Sequence, residues 1–317
     1  MQNIEAILKH DVAGDPMTDL KWTKKTTRKI SAELLSIGIK VGPKTVGRLL
    51  KKMGFSLKTN RKTIISGGKR KPGYRKKRNE QFLNIEKIKG EFEGAGHPII
   101  SADTKKKEMI GNFKNNGKTW SREAIAVHDH DFRSDSDGMA VPYGIYDLQK
   151  NKGHVVIGQS KDVPSFATDS IEEWWSIEGQ KLYPLSKDIL ILADGGGSNS
   201  SRSRVWKKGL QEKLCNKHKI SVTVCHYPPG ASKWNPIEHR LFSEISKNWA
   251  GIPLKDIETM KNYITTTTTS TGLKITASLN ENTYVKGEKV PESDFKKIKC
   301  IYADLLPEWN YTIHPNL

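Results

Sequence analysis

Apolar residues near the start of the chain recur with a period close to one helical turn. Within 26–37 (TTRKISAELLSI), Ile30, Leu34 and Ile37 fall on one side with Leu35 beside them. Within 44–53 (KTVGRLLKKM), Val46, Leu49, Leu50 and Met53 do the same. GIKVG interrupts the pattern between the two runs. Gly42 and Pro43 suit a helix start, since the first-turn N–H that proline lacks has no intrahelical acceptor, and Gly54 suits a stop. The pattern predicts two short helices joined by a glycine-containing turn, the second rich in Lys and Arg. That describes either a helix-turn-helix or a plain helical hairpin.

Beyond residue 95 strand-like runs alternate with amphipathic helices. HPIISAD (97–103) reads as a strand, and AVPYGIYD (140–147) with HVVIGQS (154–160) as a hairpin. SFATDSIEEWW (165–175) is helical, with Phe166, Ile171 and Trp174 or Trp175 inward. The unbroken apolar run of ILILAD (189–194) suits a strand buried on both faces. A helix (205–218), a strand (220–226) and a further helix (235–249) follow, the last with Ile237, Leu241, Ile245 and Trp249 on one face. Strand, hairpin, helix, strand, helix, strand, helix is the order of an RNase H-like, retroviral integrase-like α/β fold, in which the first and fourth strands are neighbours. The expected organisation is a helix-turn-helix segment (1–57), a basic linker and helix (58–94), and an RNase H-like catalytic domain with a C-terminal extension (95–317).

That order places Asp103 and Asp194 at the ends of neighbouring strands and Glu238 at the opening of the last helix. Each has a plainer alternative. Asp103 precedes TKKKE and could pair with Lys105–Lys107. Asp194 with GGG could form a tight turn or a nucleotide loop, although no G-K-[ST] follows. Glu238, three residues after Asn235 and two after Pro236, falls at a capping-box position, and Glu244 is a second acid on that helix. Gathered together, the three carboxylates repel; two charges 4 Å apart cost about 4 kcal/mol at an effective dielectric near 20. Hard oxygen donors suit Mg²⁺ or Mn²⁺ rather than zinc. Two such ions about 3.5–4 Å apart serve phosphodiester chemistry, so the predicted cofactor is Mg²⁺ or Mn²⁺, two per site. The glycines after Asp194 leave room for a nucleic-acid backbone. HDHD (128–131) reads as a polar loop, and Trp174, Trp175 and Trp206 as packing residues. TTTTTS (265–270) suggests no chemistry.

Charge sharpens the picture because it is so unevenly spread. The net +18 lies almost wholly in residues 1–78, with 21 Lys and Arg against 5 Asp and Glu; the remainder holds 32 against 30. Such a field attracts a polyanion through counterion release. The candidate phosphate contacts are Lys44, Arg48, Lys51, Lys52, Arg61, Lys62, Lys69, Arg70, Lys71, Arg75, Lys76, Lys77 and Arg78. Cys215, Cys225 and Cys300 have no C-x-x-C spacing and read as reduced thiols. The N-terminus has no continuous apolar core and no window reaches membrane-spanning length, so the expected location is the cytoplasm, at the nucleoid.

Several stretches resemble the DDE transposases of bacterial insertion sequences, in particular the Rhodopirellula-type (ISAzo-type) family. They include VGRLLKKMGFSLKTNRKT, ISADTKKKEMIGNFKNNG, ILADGGGSNSSRSRVWK, VCHYPPGASKWNPIEHRLFS and EWNYTI, and extend from about residue 10 to 313. The resemblance implies that Asp103, Asp194 and Glu238 are the catalytic, metal-binding acids. It implies metal-dependent cleavage of double-stranded DNA at terminal inverted repeats and strand transfer into target DNA, by a homodimer or higher oligomer. It also implies a further helical DNA-binding unit upstream of this sequence. The competing expectations are an inactive, DNA-binding remnant and a structure-directed nuclease of the same fold.

Overall fold

A computed structural model describes residues 1–8, 12–14, 21–23, 25–57, 73–231 and 234–316. The chain divides into two compact units, Met1–Ile65 and Ser66–Leu317.

The first unit holds α1 (Gln2–Leu8), an antiparallel ribbon of β1 (Val12–Gly14) and β2 (Lys21–Thr23), α2 (Thr27–Ser36) and α3 (Pro43–Lys52). Thr26 caps α2 by accepting from the Lys29 N–H at 3.2 Å, and Gly54 takes a φ of 86° just beyond α3, the left-handed conformation that glycine adopts without strain. Ile30, Leu34 and Val46 form the core of the helical pair, with Leu49, Leu50 and Met53 packed against it. Two details differ from the sequence pattern. Helix α2 ends at Ser36, so Ile37 caps it and is 56% exposed, and Leu35 is 59% exposed. Their places in the core are taken by Ile4 and Leu8 of α1, an element the periodicity did not single out.

The second unit begins with α4 (Tyr74–Ala95), β3 (Ile99–Thr104), β4 (Glu108–Ile110), β5 (Gly138–Asp147) and β6 (Lys152–Gly158). Next come α5 (Pro164–Trp174), which runs through a π-helical turn into α6 (Gln180–Leu182), and β7 (Asp188–Asp194). Helix α7 (Arg204–Gly209) continues as a π-helix to Asn216, before β8 (Ser221–Tyr227). A π-helical segment, Glu238–Phe242, leads into α8 (Ser243–Asn248), followed by α9 (Ile257–Thr265), β9 (Lys274–Asn280), α10 (Glu292–Phe295), β10 (Cys300–Tyr302) and β11 (Asn310–Ile313). The strands form one sheet in the order β10-β11-β8-β7-β3-β5-β6-β9, with β4 on β5. Strands β3, β7 and β8 are parallel, and β5 runs antiparallel to both β3 and β6. This is an RNase H-like core, widened by β9 beside β6 and by β11 and β10 beside β8.

Strand alternation divides the burial between two faces. Ile100 and Ala102 of β3 pack with Tyr143, Ile145 and the inner sides of α5 and α7, including the predicted Phe166, Ile171, Trp174 and Trp206; Trp175 joins the same cluster. Ile99 faces the other way, with Leu190, Leu192, Cys225 and Ile85 of α4. On that second face Ile237, Leu241, Phe242 and Ile245 cover Tyr146, Val155 and Ile157. Each large apolar side chain so buried contributes roughly 1.5–3 kcal/mol. The three cysteines are free thiols. Among the described residues no helix is long and apolar enough to cross a membrane.

Candidate active site

The site starts from strand register. Parallel β3 and β7 pair Ala102 with Ala193, so the next residues, Asp103 and Asp194, follow side by side at the C-terminal ends of adjacent strands. The segment after Asp194 then turns back to tie the two strands together. Gly197 has a φ of 59°, and its turn delivers Ser198 and Asn199 into the interior. Asn199 Nδ2 donates to the Ala102 carbonyl at 3.1 Å and its Oδ1 accepts from the Tyr143 hydroxyl at 2.8 Å. Ser198 Oγ lies 3.2 Å from Thr104 Oγ1. Around Gly196 and Gly197 an added Cβ meets nothing within 4 Å, so the rim of the turn is open.

Glu238 arrives from the covering helix. Asp103 pairs with Gly144 across the antiparallel β3–β5 ladder, and paired residues share a face of the sheet. A Cβ at Gly144 would lie 2.5 Å from the Phe242 ring and 3.1 Å from Ile237 Cδ1. Glycine there lets the Glu238 helix sit directly on the sheet beside Asp103. Asn235 does not act as the side-chain cap the sequence allowed, because its Oδ1 accepts from Ser101 Oγ of β3. The Glu238 N–H instead bonds the Asn235 carbonyl at 3.2 Å. The helix start is thus bolted to the strand that carries Asp103.

Electrostatics couple the acids. Burial, then Asp194, Glu238 and Asp162, push Asp103 up to about 8, against the lowering effect of the Thr104 N–H. Burial also raises Asp194 and Glu238, with Asp162 adding to the first and Asp194 to the second; His239 and Lys105 pull Glu238 down. Asp103 does not pair with the lysines that follow it. Lys105 turns to Glu108 at 2.5 Å and lies 4.5 Å over the Trp249 ring. Asp162, which the sequence pattern passed over, is a fourth carboxylate here; it accepts from Thr104 Oγ1 at 3.0 Å. Among the described residues no three His, Cys, Asp or Glu side chains already converge at metal-binding distance, in the HDHD loop or elsewhere. The donor chemistry nevertheless fits a hard divalent cation: several carboxylates raise one another's pKa, and neither Asp103 nor Asp194 has an ion-pair partner among the described residues.

Family comparison decides what kind of protein carries this cluster. The model of the Rhodopirellula transposase DDE domain matches residues 3–315. The chain belongs to that family. It is a DDE transposase, an enzyme of the polynucleotidyl-transferase class. No curated protein matches it. Similar solved structures include a Mos1 transposase paired-end complex with left transposon end, at 12% identity and TM-score 0.46, covering 83% of this chain and 69% of that one. A Mos1 strand transfer complex, at 13% identity and TM-score 0.46, covers 83% and 68%. A Mos1 mariner paired-end complex with Mn, at 14% identity and TM-score 0.45, covers 82% and 68%.

The transposase's basic residues divide into distinct groups. Lys44, Arg48, Lys51 and Lys52 are exposed on α3, and Arg75, Lys76 and Lys77 on the first turns of α4. Arg78 is half-buried, its guanidinium 4.6 Å over Trp234 and 5.5 Å over Phe82. Arg61, Lys62, Lys69, Arg70 and Lys71 lie outside the described residues.

Proposed function

We propose that this transposase cleaves double-stranded DNA at the terminal inverted repeats of its element and joins the cut end to target DNA, with Asp103, Asp194 and Glu238 as its catalytic acids. The observation that carries this reading is the juxtaposition of Asp103 and Asp194 on adjacent strand ends beneath a helix seated on Gly144. The three carboxylates would hold Mg²⁺ or Mn²⁺, in the number the chemistry of an attacking and a leaving oxygen calls for, which is two. Such ions, when bound, activate the attacking oxygen and stabilise the leaving one. The chain's own contribution is placement. The Asn199 and Asn235 side chains fix the two strand ends and the helix start relative to one another, and the open glycine rim admits the DNA backbone. The half-buried surroundings strengthen the carboxylates' attraction for cations by keeping bulk water from screening it.

The segment 1–57 is proposed as the DNA-reading unit, with α2 and α3 as a helix-turn-helix and Lys44, Arg48, Lys51 and Lys52 on backbone phosphates. Residues 58–94 are proposed as a basic linker and helix, of which 58–72 lie outside the described residues, and 95–317 as the catalytic domain. Pairing two ends implies a homodimer or higher oligomer on DNA, in the cytoplasm.

The test is incubation of the full chain with a labelled end duplex and Mg²⁺ or Mn²⁺. A nick at the element boundary, lost in Asp194→Asn, is the expected result. A mobility shift with no cleavage supports a protein that only binds DNA. Cutting of any branched or hybrid duplex supports a structure-directed nuclease instead.

A further inference from the structure

We propose that His226, Tyr311 and Trp206 form a buried hydrogen-bond relay that fixes the backbone of Asp194, making the C-terminal strand β11 a positioning element of the active site. The inference rests on the reading of Asp194 as an active-site acid.

Asp194 is the last residue of β7, and three glycines follow it. The three residues that directly follow it therefore offer no side chain to restrain it. His226 of β8 reaches across, its Nδ1 3.0 Å from the Asp194 carbonyl oxygen. Its Nε2 is 3.1 Å from the Tyr311 hydroxyl, which is 2.8 Å from the Trp206 indole nitrogen. His226 and Trp206 are fully buried, and Tyr311 nearly so.

With the buried imidazole neutral, the direction of every proton in this chain is determined by its ends. A carbonyl only accepts, so His226 Nδ1 must carry hydrogen; an indole N–H only donates, so Tyr311 must accept from Trp206. The Tyr311 hydroxyl then gives its own proton to His226 Nε2. Each donor proton is used once, and the neutral imidazole is in the Nδ1–H form. Burial, the largest cause, pushes the His226 pKa down to about 4, which agrees with a neutral ring.

The relay is itself anchored. Tyr311 pairs with Val224 in the antiparallel β8–β11 ladder. Its neighbour Asn310 exchanges two side-chain hydrogen bonds with Gln81 of α4, at 2.8 and 2.7 Å, and Gln81 also donates to the His226 carbonyl at 2.9 Å. A core that needed only apolar packing here could have used Phe and Leu. The selected groups instead form one polar line that ends on the backbone of an acid in the site.

The test uses the full chain and two measurements that do not depend on turnover. Nitrogen-15 NMR reports which ring nitrogen of His226 is protonated, and electron paramagnetic resonance reports Mn²⁺ binding. Wild type should show the Nδ1–H form. His226→Leu should weaken Mn²⁺ binding about tenfold, the usual scale for losing an outer-sphere partner of a metal ligand, with end-DNA binding unchanged. His226→Asn, whose amide N–H can reach the same carbonyl, should recover most of that loss. Tyr311→Phe should weaken binding about threefold while the Asp194 carbonyl keeps the ring in the Nδ1–H form. Should His226→Leu fail to fold, Tyr311→Phe, which removes one oxygen, decides the matter alone. An Nε2–H ring in wild type overturns the relay. So does wild-type Mn²⁺ affinity in the folded His226→Leu and Tyr311→Phe proteins when Asp194→Asn has lost it. If Asp194→Asn keeps both Mn²⁺ binding and cleavage, the active-site reading itself fails, and the positioning role falls with it.

Discussion

Gly144→Ala is the substitution that most directly tests how the site is assembled. The new Cβ would stand 2.5 Å from Phe242 Cε1, 2.8 Å from Cζ and 3.1 Å from Ile237 Cδ1. Ordinary carbon contacts lie at about 3.5–4.0 Å, so the ring must retreat by roughly 1 Å. Phe242 and Ile237 are both buried, and neither can swing into solvent without exposing the core. The helix start that carries Glu238 must shift with them. Overpacking of this kind costs about 1–3 kcal/mol, which for a unit of this size lowers Tm by roughly 2–12 °C. A displacement near 1 Å at a catalytic group costs about 10²-fold in rate. The useful control is Gly158→Ala, where the added Cβ meets the Phe166 ring of α5 at 2.8 Å, far from Glu238 in sequence and on the opposite face of the sheet. End-cleavage rates and thermal melts of the two variants should therefore diverge: similar melting losses, but a much larger fall in cleavage for Gly144→Ala. Pairing Gly144→Ala with Phe242→Leu should return part of the activity. Equal cleavage in the two alanine variants, or no loss of either stability or rate in Gly144→Ala, refutes the claim that this glycine seats Glu238.

Two further outcomes follow from the same geometry. Asp103 has a folded-state pKa of about 8, above its unfolded value, so its stabilising contribution is complete at low pH and lost as pH rises through that value; the Tm of metal-free protein should fall between about pH 5 and about pH 8, with a flatter profile in Asp103→Asn and recovery on adding Mn²⁺. A profile identical in wild type and Asp103→Asn counts against the raised pKa. For the first unit, Arg48→Ala combined with Lys51→Ala should reduce the slope of log affinity for the end duplex against log salt by about 1.8, one released counterion set per phosphate lost. An unchanged slope means α3 does not touch the DNA backbone.

Asp103 and Asp194 were legible because both interrupt apolar strand patterns with a charge, and β3 and β7 do lie side by side as the element order implied. Glu238 was legible as the opening acid of a strongly periodic helix, although the capping role offered for Asn235 is displaced by its bond to Ser101. The features that escaped share one physical cause: their meaning is set by partners far along the chain. Gly144 in a strand reads locally as a weakness, and only the ring of Phe242, on a helix nearly a hundred residues later, shows why no side chain fits. Asp162 sits in a short loop with no periodicity to mark it, yet meets Thr104 across 58 residues. Strand β9 exposes or half-exposes five of its seven positions, so it lacks the apolar run that announced β7, and its pairing with β6 comes from register alone. The His226–Tyr311 contact spans 85 residues and joins a strand that sequence alternation found to one it did not. Local pattern therefore marked the candidate acids, whereas the contacts around them are long-range. It follows that substitutions at Gly144, Asn235 or Tyr311, conservative by composition, should disturb the site more than changes at the exposed Leu35 or Ile37, whose apolar character had marked them for a core they do not join.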